Sequence, residues 1–404
     1  MTKKCFLTNY YTVFVIIAII LNMYKFNSLF TFADIGFFIL YGIFMLKCLL
    51  NYGNSIKIKL SYNEIIPFFI CVLYWFFYSY MNLDTSIFFR NARYLLYLIT
   101  VMLYTKKYFD YNLGFKVYKF VAVLSTMYLF TQYIFRNLFG IYLLNYVPFL
   151  EVSSKGIMTV VPVRCKSIFA EPSQYAIYIT GALMLILIDK YRNKFDYIYI
   201  LILILGIFLS GSTTGIAIVV FSCVLYALHL LKNVKQIKRK KVINLMAISL
   251  IAIVIVLSIA IGSGMLSYII YRVSEGSSAD ARFSSYELIN SFSNKLTGNG
   301  MLDIEKDYYN GVVRCVYYFG YIGIASWGIL TLGQLRKSYK EYKILVVIFF
   351  VLNIGTEVLF GPQVLIWFSF IMKSYSLKER GEEDEDISYG RKWIYGNRNC
   401  KTVT

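Results

Sequence analysis

Charge is what this chain has least of. Only 16% of its 404 residues are Asp, Glu, Lys or Arg, against about 25% in an ordinary soluble domain. Histidine is nearly missing, His229 being the single one. The seven cysteines, Cys5, Cys48, Cys71, Cys165, Cys223, Cys315 and Cys400, form no CxxC pair, which argues against a zinc or redox site. They suit lipid-facing or core positions, although Cys165 and Cys315 each sit beside an arginine, which leaves a disulfide between them open. No dense Asp or His cluster is expected on the outer face, the acidic run Glu382–Asp386 reading as a solvated tail, so neither a metal nor a cofactor is expected. No long internal repeat is visible, which weighs against an inverted-repeat transporter. The short alternating segments of about 10 residues that mark a membrane barrel are absent as well.

What is there is apolar. Hydrophobic residues make up 58% of the chain and aromatic ones 19%. Apolar runs of about 17 to 25 residues recur, each long enough to cross a bilayer. The expected fold is all-α: a polytopic integral membrane protein of about twelve transmembrane helices with two large extracytoplasmic loops. Spans are expected near 8–24, 28–47, 65–81, 90–105, 116–136, 171–188, 197–210, 214–231, 242–262, 312–332, 344–357 and 360–373. They form a single domain over 1–373, with outer loops at 137–170 and 263–311 and a polar cytoplasmic tail over 374–404. The first run, after Lys3 and Lys4, resembles a signal peptide but lacks a small-residue cleavage site, so it reads as the first helix.

The net charge of +19 invites a nucleic-acid reading. Topology accounts for it better. With both termini inside, about 29 of the 41 Lys and Arg fall on cytoplasmic segments, as the positive-inside rule expects. The run Lys232 to Lys241 is the strongest anchor. His229 lies beside it, on the wrong side to serve a site on the outer face. No nucleic acid is expected as a partner; membrane lipid is.

The most telling stretch is Arg164-Cys165-Lys166-Ser167-Ile168-Phe169-Ala170-Glu171-Pro172-Ser173. Two cations and a carboxylate stand just before the apolar run Tyr175–Ile188. Proline is tolerated in the first turn of a helix, where its missing N–H is one of the unpaired donors. Glu171 is therefore the expected cap and Pro172 and Ser173 the first turn. Its carboxylate then sits at the membrane edge, where partial desolvation would raise its pKa and Arg164 and Lys166 would lower it. It reads either as a general base or as an ion-pair partner of Arg164. The loop before it is apolar and aromatic (Phe139, Tyr142, Tyr146, Phe149), which suits a lipid or sugar contact or a short half-buried helix. Asp34 is expected to pair with a neighbouring helix, and Arg90 and Arg93 either snorkel or reach the site. Ser277–Asp280 is expected to cap an amphipathic surface helix with Phe283, Tyr286, Ile289 and Phe292 on one face. Arg272, Arg282, Arg314 and Glu357 complete the charged outer set. Arginine's planar fork suits phosphate oxygens.

These stretches resemble the O-antigen and capsule repeat-unit polymerases (Wzy-type) and the related O-antigen ligases. Arg164 with Phe169-Ala170-Glu171-Pro172-Ser173 looks like the family's third-outer-loop segment. Leu209-Ser210-Gly211-Ser212-Thr213-Thr214-Gly215 is similar to its hydroxyl-rich turn, without the arginine often found there. Arg282 followed by Leu296-Thr297-Gly298-Asn299-Gly300 resembles its fifth-outer-loop arginine and Gly-x-Gly. Where ligases carry a His-Asn pair, this chain has Tyr309-Asn310, which favours the polymerase. The resemblance implies a metal-independent glycosyltransferase of the bacterial inner membrane, acting on undecaprenyl-diphosphate-linked oligosaccharide, with a chain-length regulator and a flippase as further partners. Glu171, Arg164 and Arg282 are then the catalytic set, with Lys166, Arg272, Tyr309, Asn310, Arg314 and Glu357 binding substrate. A ligase, or a flippase moving the same lipid without chemistry, is the alternative.

Overall fold

The computed structural model describes residues 3–27, 30–50, 62–81, 85–152, 164–189, 193–232, 284–300 and 309–383. The described residues are all-helical, with two isolated β-bridges and no strand. In chain order the α-helices are α1 (Lys3–Leu21), α2 (Phe32–Leu50), α3 (Tyr62–Met81), α4 (Thr85–Tyr108), α5 (Tyr111–Phe139) and α6 (Pro172–Ile188). They continue as α7 (Lys194–Leu209), α8 (Thr213–Lys232), α9 (Gly311–Lys337), α10 (Lys343–Gly355) and α11 (Gln363–Glu383). The span expected at 242–262 lies outside the described residues, as do Arg272 and Arg282. Two of these helices, α5 and α9, are long and apolar enough to cross a membrane; seven further apolar stretches run 10–17 residues.

Local chemistry sets most boundaries. Asp110 caps α5, its carboxylate accepting from the N–H groups of Asn112 and Leu113 at 2.9 and 3.1 Å. Gly140 ends it in the left-handed conformation, φ 66°. Asn193 and Asp196 form a reciprocal capping box on α7. The helices at 90–105 and 116–136 prove longer at both ends than expected, because polar caps and lysines flank their apolar middles. The second helix starts later than 28: Asp34 accepts from the Thr31 N–H at 2.7 Å and holds 31 at the helix entrance. The amphipathic helix expected from 277 is helical over 284–287, runs into a 3-10 turn at Leu288–Ser291 and stops. Of its apolar face, Phe292 is buried against Tyr309 and Tyr317 of the α9 entrance; the expected cap Ser277–Asp280 and Phe283 lie outside the described residues.

Helix contacts close a ring in the order α9, α3, α4, α1, α5, α7, α8, α10, with α2 outside it on α1. Two helices fill the middle. α6 packs on α5, α7 and α8, and α11 on α4, α1, α9 and α10. They touch at Gly181, where a Cβ would reach Trp367 at 3.4 Å. α6 is buried along almost its whole length, which explains an apolar run with no polar stripe.

Ties between distant segments fall into two sets. At one end Lys106 Nζ meets the buried Glu64 at 2.8 Å, Lys337 approaches the same carboxylate at 3.9 Å, and Lys119 meets the buried Asp196 at 2.7 Å. At the other end lie the pair Lys25–Glu151 at 3.4 Å, the Arg314–Glu357 pair and the Asp34–Arg93 pair. Helices therefore alternate in direction, and residues 22–27, 30–31, 140–152, 164–171, 210–212, 284–300 and 356–362 share one end.

Asp34 does find its helical partner. Arg93 donates from Nε at 2.8 Å and from Nη2 at 2.9 Å to its two carboxylate oxygens, and Thr31 Oγ1 adds a third bond at 3.0 Å. Arg93 is thus a partly buried ion-pair member and not a snorkelling side chain. Arg93→Ala is expected to destabilise the protein by about 3 kcal/mol, since it strands a buried carboxylate. Thermal unfolding in detergent measures this, and Asp34→Asn combined with Arg93→Ala should recover part of the loss.

Candidate functional site

The Glu171 stretch folds as its local rules dictate. Glu171 is the N-cap of α6, extended at φ −139° and ψ 153°, with Pro172 at N1. Its side chain makes no cap hydrogen bond; instead Ser173 Oγ donates to Oε2 at 2.9 Å. The carboxylate is exposed. Among the described residues no ion pair joins it to Arg164, which begins the segment half-buried. Lys166 is buried, and its Nζ donates to the Ala170 carbonyl at 3.1 Å. Burial pushes its ammonium below the ordinary lysine value, and the Glu171 charge opposes that.

What shapes this loop is a residue the sequence did not point to. Ser167 is fully buried at φ 55°, an unusual conformation for a non-glycine residue. It is held from three directions: its N–H donates to Gln132 Oε1 at 2.9 Å, its carbonyl accepts from Gln132 Nε2 at 3.2 Å, and its Oγ donates to the Ser125 carbonyl at 2.6 Å. The same Gln132 amide donates to the Leu144 carbonyl and to Asn145 Oδ1 at 3.2 and 3.1 Å. One buried glutamine on α5 thereby clasps both arms of the outer loop. Strain held by the surroundings marks a positioned site. Gln132→Leu is expected to cost about 3 kcal/mol, because it takes the partner from the buried Ser167 N–H and carbonyl and from Asn145 Oδ1, while the Leu144 carbonyl keeps its bond from Tyr128. Hydrogen exchange over 164–171 should rise well above that of α6.

The second motif meets the first. The hydroxyl-rich turn Ser210–Thr213 leads into α8, and a Cβ on Gly215 would collide with Ala176 in the first turns of α6. Ser212 Oγ accepts from the Gly215 N–H at 3.1 Å, and Ser210 Oγ donates to the Ile207 carbonyl at 2.6 Å. Ser210 and Ser212 are buried, and their hydroxyls are engaged in the turn itself.

The third motif breaks a helix. Gly320 sits at φ 65° and ψ −164° inside α9, so the expected continuous span 312–332 is interrupted. The segment Lys295–Gly300 fills the gap. Asn299 N and Gly300 N donate to the carbonyls of Tyr317 and Tyr318 at 2.7 and 3.0 Å. Tyr321 N and Ile322 N donate to the carbonyls of Lys295 and Leu296 at 2.9 and 3.4 Å. Backbone groups freed by the break are thus satisfied by the loop. Tyr74 of α3 adds a bond to the Thr297 carbonyl.

Near the entrance of α9, Asn310 is its N-cap, accepting from the Val313 N–H at 3.0 Å and donating to Ser285 Oγ at 3.2 Å. Tyr309 is buried against Phe292 and Tyr317. Both therefore build the helix entrance. Arg314 pairs with Glu357, and its guanidinium lies 6.0 Å from the Tyr318 ring. This pair stays partly exposed, 18% and 25%. Among the described residues, then, this end offers the exposed Glu171 carboxylate, the buried Lys166 ammonium and the partly exposed Arg314–Glu357 pair, beside the exposed Glu287 and the Lys25–Glu151 pair. Cys165 and Cys315 are both free and buried, so no disulfide joins them. No group of three or more His, Cys, Asp or Glu that could hold a metal ion occurs among the described residues. No protein-family model matches the chain, and no curated protein sequence matches it.

Proposed function

We propose that this chain is a polytopic bacterial inner-membrane polymerase of about twelve spans with both termini cytoplasmic. It joins undecaprenyl-diphosphate-linked oligosaccharide units into a surface polysaccharide. The observation that carries the reading is the packing of the Glu171 stretch against the Ser210 turn, with the Gly-x-Gly segment, held in the break of α9, on the same end of the bundle. A hydroxyl of one unit attacks the anomeric carbon of the growing chain. The bond from that carbon to the diphosphate oxygen breaks, and the lipid diphosphate leaves with the electron pair. Glu171, exposed and accepting a hydrogen bond from Ser173 Oγ, takes the hydroxyl proton as general base. Arg164, Lys166 and Arg314 supply positive charge for the leaving diphosphate, and Arg272 and Arg282 of the fifth outer loop belong to the same set. A chain-length regulator and a flippase act alongside.

Deleting the gene and resolving the surface glycan on a gel tests this. A single repeat unit on each lipid acceptor is the expected result. Loss of all surface glycan points to a flippase instead, and full-length polymer left on its lipid carrier to a ligase.

A further inference from the structure

α5 has two faces. Tyr118, Ala122, Ser125, Leu129 and Gln132 turn into the bundle. Phe120, Leu124, Met127, Phe135 and Leu138, again at helical spacing, are exposed. At 1.5 Å per residue the stripe from Phe120 to Leu138 is roughly 27 Å long, close to the bilayer hydrocarbon thickness of about 30 Å. The exposed apolar surface does not stop there. It runs on into the loop after Gly140, through Ile141, Tyr142, Leu144 and Val147 to Phe149, which is fully exposed.

This loop is not slack. Tyr128 OH donates to the Leu144 carbonyl at 2.6 Å, Val147 N donates to Tyr24 OH at 3.0 Å, and Lys25 N donates to the Glu151 carbonyl at 2.7 Å. Phe149 is held at φ 74°, a conformation costly for an aromatic residue, with its ring pointing away from the protein. A chain that fixes its backbone so firmly while turning aromatic side chains outward is presenting them. Their level fits one occupant. They begin where the stripe of bilayer length ends, beside Arg136 and Tyr133, whose guanidinium and ring lie 5.2 Å apart. Aromatic and cationic side chains gather where hydrocarbon gives way to headgroups.

We infer that the loop 141–149 is a membrane-interface anchor, its side chains seated among lipid headgroups and the first acyl carbons. Through Gln132, which grips both Leu144 and Ser167, the anchor fixes the height of Lys166 and Glu171 above the lipid surface. The inference rests on the membrane placement and is independent of the transfer reaction.

The test uses full-length protein in phosphatidylcholine vesicles whose lipids carry bromine either near the headgroup or deep in the acyl chain. Phe149→Trp and Leu124→Trp are compared with the parent, whose four tryptophans set the background. The emission added by Phe149→Trp should be quenched by shallow bromine and spared by deep bromine; Leu124→Trp should show the reverse. Quenching of Leu124→Trp with none of Phe149→Trp overturns the anchor and leaves the membrane placement standing. No quenching of either overturns both.

Discussion

Gly320→Ala should unlock the segment 295–300 and cost about 4 kcal/mol or more. Two causes add. The backbone of Gly320 lies in a region that only glycine enters freely, worth about 1–3 kcal/mol of strain for alanine. Its Cβ would also collide with the backbone of Leu296 and come within 2.6 Å of the Gly298 nitrogen. Neither neighbour is a flexible side chain, so relief requires the segment 295–300 to move away. That breaks the four backbone bonds that bridge the helix interruption and leaves buried N–H and carbonyl groups exposed to an apolar interior. In a lipid setting such groups are tolerated only when protein covers them. The measurements are a fall in unfolding temperature in detergent and a new protease cut within 293–300. Gly328 is the control: a Cβ there meets nothing within 4 Å, so Gly328→Ala should be neutral or stabilising by about 0.5–1 kcal/mol. Equal stability of the two variants would show that the loop is not held by the break. Because Gly298 faces the same crowding from the other side, with the Tyr318 carbonyl 2.5 Å from its Cβ position, Gly298→Ala should reproduce the Gly320 phenotype.

This break marks where the sequence stopped being legible. A glycine in an apolar helix is a tolerated weak point by local rules, and nothing near Gly320 says that a segment 20 residues earlier will occupy the gap. The pairing is tertiary, and the Gly-x-Gly segment is one side of it. Gln132 was invisible for a similar reason. A single polar residue on a long apolar helix carries no pattern, and its four partners lie 12 to 35 residues away. Glu64, which no local pattern singles out, is buried between Lys106 and Lys337. By contrast, the Glu171 cap and the proline at N1 followed from neighbours alone. Asp34 needed only the rule that buried carboxylates find partners. That rule left the partner unnamed, because Arg93 is 59 residues distant. Periodicity pointed to the helices; contacts across the bundle decided which polar side chains are built into structure. Tyr309 and Asn310 are part of the α9 entrance, and Glu171 is left exposed.

Glu171→Gln is expected to lower chain extension by about 100-fold or more, the range lost when a general base is removed, while leaving the protein folded. Glutamine keeps the size of the side chain and can still accept the Ser173 hydroxyl hydrogen bond now made at 2.9 Å. It cannot take a proton. Because the side chain is exposed, stability should change by no more than about 0.5 kcal/mol. Protein level in the membrane and unfolding temperature check that point. A second readout separates chemistry from structure. The Glu171 charge works against the burial that lowers the Lys166 pKa; removing it lets Lys166 lose its proton at lower pH. Any residual activity that needs the Lys166 cation should therefore fail at a lower alkaline pH than in the parent. An ion-pair role makes a different forecast: a partial defect, with less protein and weaker retention of the lipid-linked substrate. Near-normal polymer length from a well-expressed Glu171→Gln protein would end the base assignment. The remaining carboxylate at that end among the described residues with partial exposure and a place beside a candidate arginine is Glu357, and it is already engaged by Arg314. For Glu357 to act as base the pair would have to open, so Arg314→Lys, which keeps the charge but loses the fork, should then raise activity instead of lowering it.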